Sequence, residues 1–219
     1  MRKVLATAFV SLDGVMQAPG GPEEDPTGGF KFGGWTAPYW DDAIEQVMGG
    51  VFSQPYELLL GRKTYEIFAA HWPHAKDDPF ADALSNVRKY VATSSKAPLT
   101  WKNSIPIHDV PKDIARLKRE DGPTLMTQGS SDLIQTLLEH DLVDRFTLLI
   151  YPVVLGKGKR LFGSGAIPAA LKLVDSKASP SGVTINSYER AGEVKVGSFA
   201  HDQPSADELK RRERMKREG

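Results

Sequence analysis

The chain has 219 residues, 40% of them hydrophobic and 26% charged, proportions that suit a packed globular core and exclude disorder over most of its length. Its 28 basic residues balance 28 acidic ones, so no global field is available to hold nucleic acid or an anionic membrane, and any polyanion site must be local. Cysteine is absent, which excludes disulfides, thiol nucleophiles and Cys-ligated zinc or iron–sulfur clusters. Neither a signal-peptide pattern nor a run of about 18 apolar residues occurs, so a cytoplasmic protein is expected. At about 150 residues per domain the length fits one large domain, placed at 1–200, followed by a tail at 201–219.

Val4 to Val10 is a short apolar run with β-branched and aromatic members, ending at Ser11-Leu12-Asp13-Gly14, and predicts a buried first strand. Residues 14–34 are so dense in glycine and proline that regular structure is not expected there. Because Trp35, Tyr39 and Trp40 follow, that segment reads either as a mobile lid with an aromatic hinge or as a flexible insertion. Asp41 to Phe52 carries Ile44, Val47, Met48 and Val51 at helical spacing. Glu57 to Leu60 is a short apolar strand that breaks at Gly61 into a helix over Arg62–Phe68, which ends before Pro73.

Lys89 to Ser95 predicts a strand entering a polar turn, and Ile105–Ile107 a short strand before a helix at 111–120 with Pro111 in its first turn. Thr124–Thr127 is a further strand, closed by Gln128-Gly129-Ser130-Ser131-Asp132 and a helix whose Leu133, Ile134, Leu137 and Leu138 share a face. A long strand is expected over Val143–Val154, then two more at 171–177 and 182–190 around Ser179-Pro180-Ser181-Gly182. Strands alternating with helices and then a terminal hairpin predict an α/β fold, with a mostly parallel sheet and an antiparallel edge. After Pro204 the chain is charged nearly throughout, with only Leu209 and Met215 apolar, so a frayed helix or disordered tail is expected.

Parallel α/β sheets place ligands where strand carboxyl ends lead into helix N-termini. Three such junctions stand out. At Gly61-Arg62-Lys63-Thr64, glycine admits close backbone approach and two cations and a hydroxyl can meet phosphate. Thr93-Ser94-Ser95-Lys96 offers hydroxyls and an ammonium after another strand, although either motif alone also describes a solvated helix start. At Gln128-Gly129-Ser130-Ser131 a serine can seat a pyrophosphate or simply cap the next helix. None of the three fits the Walker A or G-x-G-x-x-G pattern. His71, His74, Asp77 and Asp78 superficially suggest a metal site, but Pro73 interrupts them and no third ligand is fixed by spacing, so no metal is expected.

Taken in order, Ser11-Leu12-Asp13-Gly14, Leu58-Leu59-Leu60-Gly61-Arg62-Lys63-Thr64-Tyr65-Glu66, Tyr90 to Ser95, Gln128-Gly129-Ser130 and Tyr151-Pro152-Val153-Val154-Leu155-Gly156 form a recognisable series over about residues 2–190. The chain resembles the reductase superfamily shared by dihydrofolate reductase and the reductase domain of bacterial riboflavin biosynthesis, in its stand-alone, single-domain branch. The resemblance implies a three-layer dihydrofolate reductase-like fold and an NADPH-dependent oxidoreductase that transfers hydride to a small heterocyclic or carbonyl-like substrate. It also implies a homodimer. By that likeness Gly61, Arg62, Lys63 and Thr64 contact the adenine-side phosphates, Thr93, Ser94 and Ser95 surround the ribose and its 2′-phosphate, and Gln128, Gly129 and Ser130 underlie the pyrophosphate and nicotinamide. Asp13 faces the substrate as the candidate catalytic residue, with Trp35 and Trp40 available to stack on it. Other proton donors are a bound water, Asp41, Asp42 and Glu45.

Several residues depart from that pattern. Riboflavin-pathway reductases commonly carry Glu-Gly-Gly where Gln128-Gly129-Ser130 stands, and Val-Asp-Glu where Val143-Asp144-Arg145 stands. The runner-up activity, reduction of 5-amino-6-(5-phosphoribosylamino)uracil, therefore fits less well. A third reading is a nucleotide-binding or oligomeric scaffold without catalysis. Gly156 to Phe162 reads as an anion loop or a plain flexible turn.

Overall fold

The computed structural model describes residues 1–163, 167–199 and 203–218. Among the described residues eight strands form one sheet: β1 (Val4–Ser11), β2 (Tyr56–Gly61), β3 (Lys89–Ala92), β4 (Ser104–Ile107), β5 (Thr124–Thr127), β6 (Arg145–Tyr151), β7 (Leu171–Ala178) and β8 (Thr184–Arg190). Their order is β4-β3-β2-β5-β1-β6-β8-β7, parallel except for β8 and β7, which join antiparallel. The expected α/β architecture with an antiparallel C-terminal edge is what the chain adopts.

Helices cover both faces: α1 (Asp42–Ser53), α2 (Arg62–His71) and α3 (Pro79–Asn86) on one side, α4 (Val110–Arg119) and α5 (Ser131–Glu139) on the other. The alternation along β1 shows why. Val4, Ala6, Ala8 and Val10 join the cluster built on Ile114, Leu117, Leu133 and Ile134, while Leu5 and Phe9 turn to the opposite face. A strand buried on both faces reads as a continuous apolar run, as this one does.

No element is expected from the sequence between Pro73 and Lys89, yet α3 lies there. Its signals are local: the Asp78 carboxylate accepts from the amides of Phe80 and Ala81, and Pro79 occupies the first turn. The strand expected over Val143–Val154 is shorter, β6 alone, because beyond Tyr151 the chain turns away to meet the end of β1.

Residues 14–34 pack onto the body of the protein at several points. Val15, Gln17, Ala18 and Phe30 are buried, and Gln17 staples the segment. Its side-chain amide donates to the carbonyls of Asp25 and Thr27 at 2.9 Å, its carbonyl oxygen accepts from the Lys159 amide at 3.0 Å, and Lys159 Nζ closes an ion pair with Asp25. The tail forms α6 (Ala206–Glu218), which buries no residue and is laced by pairs such as Glu208 with Arg211 and Arg212. Residues 201, 202 and 219 of the tail lie outside the described residues. No helix among the described residues is long and apolar enough to cross a membrane.

Candidate functional site

The strand order sets the carboxyl ends of β3, β2, β5 and β1 side by side. Gly61 pairs with Ala92, Leu58 with Met126 and Ala6 with Thr127. The three junctions singled out in the sequence, and the Ser11–Asp13 turn beside them, thus form one row at one end of the sheet. The Gly61 amide donates to the Gly129 carbonyl at 3.3 Å, joining two of the junctions directly.

Each junction has a distinct local cause. Gly61 caps α2 without a side-chain bond, so no side chain covers that helix's first amides. Ser130 is the cap of α5, its Oγ accepting from the Leu133 amide at 3.4 Å. Gly129 has φ of 138°, and a β-carbon there would lie 3.0 Å from Thr64 Oγ1 and 3.6 Å from Met16 Cε, so its bareness keeps a space open between α2 and the residues after β1. Arg62 bridges α2 to the third junction, with Nε on Glu66 at 2.6 Å and Nη1 on the Ala97 carbonyl at 3.3 Å. Thr93 and Ser95 hydroxyls accept from the amides of Ser95 and Ala97 at 3.0 and 3.1 Å, and Ser94 is exposed beside them.

A cavity of about 1550 Å³ opens from this row. Thr7 and Phe9 of β1 form its floor, Met48 and Phe52 of α1 one wall, and Ile67 and Phe68 of α2 the other. Residues 16–25 cover it, and Gln128 to Asp132 close one end together with Lys63 and Thr64. Single-ligand pockets usually fall at about 300–1,000 Å³. This volume accommodates two ligands in contact.

Of the sequence-predicted residues, Lys63, Thr64, Gln128, Gly129, Ser130 and Trp40 line the cavity. Gly61, Arg62 and Thr93 to Ser95 lie in the adjoining row of strand ends. Two expectations require correction. Trp35 is 7% exposed, donates through Nε1 to the Gln17 carbonyl at 2.8 Å and packs edge-on against Tyr151, so it is core and cannot stack on a substrate.

Asp13 is the second correction. Its carboxylate accepts from Ser11 Oγ at 2.6 Å and from the amides of Leu155 and Gly156 at 3.0 and 2.8 Å, with Arg160 alongside. The Ser11 hydroxyl and then the two amides outweigh burial and hold its pKa at about 2. A carboxyl ionised so firmly does not donate a proton near neutrality, and it does not line the cavity. The Gly156–Phe162 segment owes its course to the same ties, since Arg160 reaches Asp13 and Lys159 reaches Asp25. Asp41 is also removed as a donor: burial opposes its charge, but the amides of Ile44 and Ser181 hold it at about 2 while it caps α1. Glu45 does line the cavity.

Sequence reasoning gave no cavity role to Thr7, Glu24 or His71, among others that line it. Thr7 hides inside an apolar strand, where threonine reads as an ordinary β-former. It is 1% exposed and its Oγ1 is buried without a hydrogen-bond partner. Glu24 accepts from the Gly20 amide at 2.6 Å, and desolvation pushes its pKa up, with the Gly20 and Gly21 amides and the charge of His71 offsetting part of that rise.

The model of the RibD C-terminal domain matches residues 2–185. The chain belongs to this family. Among curated proteins it is 28% identical over 191 residues to the uncharacterized protein YyaP of Bacillus subtilis strain 168, covering 83% of this chain and 92% of YyaP. A putative riboflavin biosynthesis protein from Shewanella sp. PV-4 superposes with a TM-score of 0.60 at 19% identity, covering 86% of this chain and 99% of that one. Dihydrofolate reductase from Enterococcus faecalis, solved with NADP(H), gives 0.56 at 16% identity, covering 86% and 96%. At such identities the likeness is one of fold, and the fold of this RibD C-terminal domain is dihydrofolate reductase-like.

Proposed function

We propose that this RibD C-terminal domain is an NADPH-dependent reductase acting on a small heterocyclic or carbonyl-like substrate. The observation that carries the reading is the row of three phosphate-suited junctions at the carboxyl ends of β3, β2 and β5, two of which, at Lys63-Thr64 and Gln128 to Ser130, open on one cavity large enough for a cofactor and a substrate together. The chemistry of the row suits a dinucleotide with an extra phosphate. Lys63 and Thr64 supply charge and a hydroxyl at a helix start that no side chain caps, Arg62 and Lys96 add positive charge at its outer end, and Gly129 keeps backbone accessible. NADPH supplies the hydride.

The chain's own part is to orient and to exclude water. Residues 16–25 cover the cavity, and Phe9, Phe52 and Phe68 make it largely apolar, which favours transfer between two stacked groups shielded from solvent. The proton that accompanies hydride can come from Glu24, whose carboxyl faces the cavity with a pKa raised by burial, a direction suited to a general acid.

The test is a parallel titration with NADPH and NADH, read through quenching of tryptophan emission, since Trp40 lines the cavity. NADPH should bind more tightly than NADH, and Lys63→Ala and Arg62→Ala should each weaken it. Binding of neither nucleotide overturns the reading and leaves the scaffold role. Turnover sinks the scaffold instead.

A homodimer belongs to the same proposal. Strand β7 is the sheet's outer edge beside β8 and is exposed over nearly its whole length, with Leu173 and Val174 at 51% and 40% exposure. Its unpaired backbone edge and these two exposed apolar side chains offer a second copy a place to add, against the opposing charges of Lys172, Asp175 and Lys177. Light scattering showing only monomer at micromolar concentration removes this part.

A further inference from the structure

Among the cations of the junction row, Arg62 is held in place and the lysines are not. Arg62 Nε donates to Glu66 Oε1 at 2.6 Å, one helical turn further along α2, and Nη1 donates to the Ala97 carbonyl at 3.3 Å. Its guanidinium carbon lies 5.9 Å from the centroid of the Tyr65 ring. Tyr65 is itself fixed, 2% exposed and accepting through its hydroxyl from the Trp101 amide at 2.9 Å. Lys63 and Lys96, by contrast, close no ion pair among the described residues. The Ala97 bond aims the guanidinium at the turn after β3, where Ser95 Oγ accepts from the Ala97 amide. Glu66 takes Nε and Ala97 one proton of Nη1, so the donors left over are the second proton of Nη1 and both of Nη2. A planar fork held with that edge free suits bidentate contact with a phosphate, which a swinging ammonium cannot make.

We infer that Glu66 is a positioning residue that sets the preference for NADPH over NADH, by holding the Arg62 fork toward the 93–97 turn where the 2′-phosphate belongs. This rests on the reductase reading and adds to it a determinant that acts through another side chain. The two nucleotides differ only in that phosphate, so the ratio of their affinities isolates what the guanidinium does there. Glu66 has two opposite effects on an incoming phosphate, and their sizes decide the sign. Its charge repels the phosphate, but the carboxylate is 56% exposed, and between exposed groups water and salt damp the repulsion. Its hold on Nε removes in advance the rotamer freedom that a long side chain otherwise loses on binding, a gain that solvent does not screen. Ordering therefore outweighs repulsion, and the net effect is modest because an exposed pair holds only in part. Lys63 and Lys96 attract any phosphate and discriminate little.

The experiment titrates the full chain with NADPH and with NADH, read by calorimetry, in wild type, Glu66→Ala, Glu66→Gln, Arg62→Ala and the double variant Arg62→Ala/Glu66→Ala. Glu66→Ala should weaken NADPH about three- to fivefold and NADH by less than about twofold. Glu66→Gln should keep most of the preference, since its amide oxygen still accepts from Nε. In the Arg62→Ala background, removal of Glu66 should leave the ratio unchanged, the mark of a residue that acts through Arg62. Both Glu66 variants should melt within about 2 °C of wild type, as expected for an exposed pair one turn apart. A purely structural Glu66 would do the reverse, lowering the melting temperature without moving the ratio. The inference is overturned, with the reductase reading left standing, by a Glu66→Ala protein that binds NADPH as tightly as wild type or more so, or that loses both nucleotides equally. A ratio that still falls when Arg62 is absent overturns it too. Wild type that binds neither nucleotide, or prefers NADH, overturns the reading and the inference together.

Discussion

Gly61 and Ser130 begin two different helices and leave no room between them: a β-carbon on Gly61 would overlap Ser130 Oγ and sit 3.0 Å from the Ser130 β-carbon and 3.1 Å from its amide nitrogen. Gly61 has φ of −69° and ψ of 154°, which any residue adopts, so the block is steric alone. This contact holds the starts of α2 and α5 together and so fixes the spacing of two of the three junctions.

Gly61→Ala should therefore push the junctions apart. Overpacking of this kind destabilises by about 1–3 kcal/mol, and NADPH affinity should fall at least about tenfold as α2 and α5 separate, a change of about 1.4 kcal/mol. Ser130→Gly removes the obstructing side chain at a cost of a few tenths of a kcal/mol as a cap, on the order seen for such changes. The double variant should then melt and bind closer to wild type than Gly61→Ala does. Losses that simply add in the double variant would show that the contact is not the cause.

Asp13→Asn is expected to act on stability before turnover. The carboxylate ties the end of β1 to Leu155 and Gly156, 142 and 143 residues away in the chain. Loss of charge from these bonds should cost about 1–2 kcal/mol, a fall in melting temperature of about 2–8 °C for a chain of this length. The sign with pH follows from a folded pKa of about 2 against an ordinary value of 3.8. The stabilisation is complete above the unfolded value and disappears as pH falls from about 4 toward 2. Urea unfolding of both proteins at pH 7 and pH 2.5 checks this: the gap between them should close at the lower pH.

Gln17→Ala should release the cover of the cavity. The side chain holds Asp25, Thr27 and Lys159 at once and is 4% exposed, so truncation leaves backbone groups of all three without their partner. A loss of about 2–3 kcal/mol is expected, largely local to residues 16–34. Limited proteolysis should then cut within that segment at least about tenfold faster, while the helices on the α4 and α5 face keep wild-type protection. Unchanged cleavage would mean that Trp35 and Phe30 anchor the segment unaided.

These residues also show what one sequence can disclose. Strands β1, β2 and β5 were legible because each is a short apolar run stopped by glycine or a polar turn, and the three junctions because their chemistry is local. The order of the segment 14–34 was not, since its staple, Gln17, finds Lys159 only 142 positions further along the chain. The structural role of Asp13 was hidden for the same reason: a turn aspartate and a catalytic one look alike until Leu155 and Gly156 arrive. Thr7 gave no signal because burial without a partner is a property of the fold. Helix α3 could have been found from Asp78-Pro79, but eight residues carry too short an apolar stripe to stand out.

Lys89 offers a test of the core away from the site. It is fully buried, with Nζ donating to the carbonyls of Ser85, Val87 and Lys102 at 3.0, 2.8 and 3.2 Å and lying 4.2 Å from the Trp101 ring centroid. Burial, with a further push from Lys102, lowers its pKa from 10.5 to about 8. The folded state thus releases this proton before the unfolded chain does, so between pH 8 and about 10.5 the unfolded chain binds more protons and the linked stability rises with pH. Other lysines and tyrosines titrate in the same range, so the reference must be Lys89→Met, which lacks this group. The stability of wild type relative to that variant should increase by about 1–3 kcal/mol from about pH 7.5 to about pH 10, because a tenfold difference in proton affinity between the two states is worth about 1.4 kcal/mol. Parallel urea titrations at the two pH values read this difference directly. A constant difference would mean that the three carbonyls keep the ammonium charged in the folded protein to the same pH as in the unfolded chain.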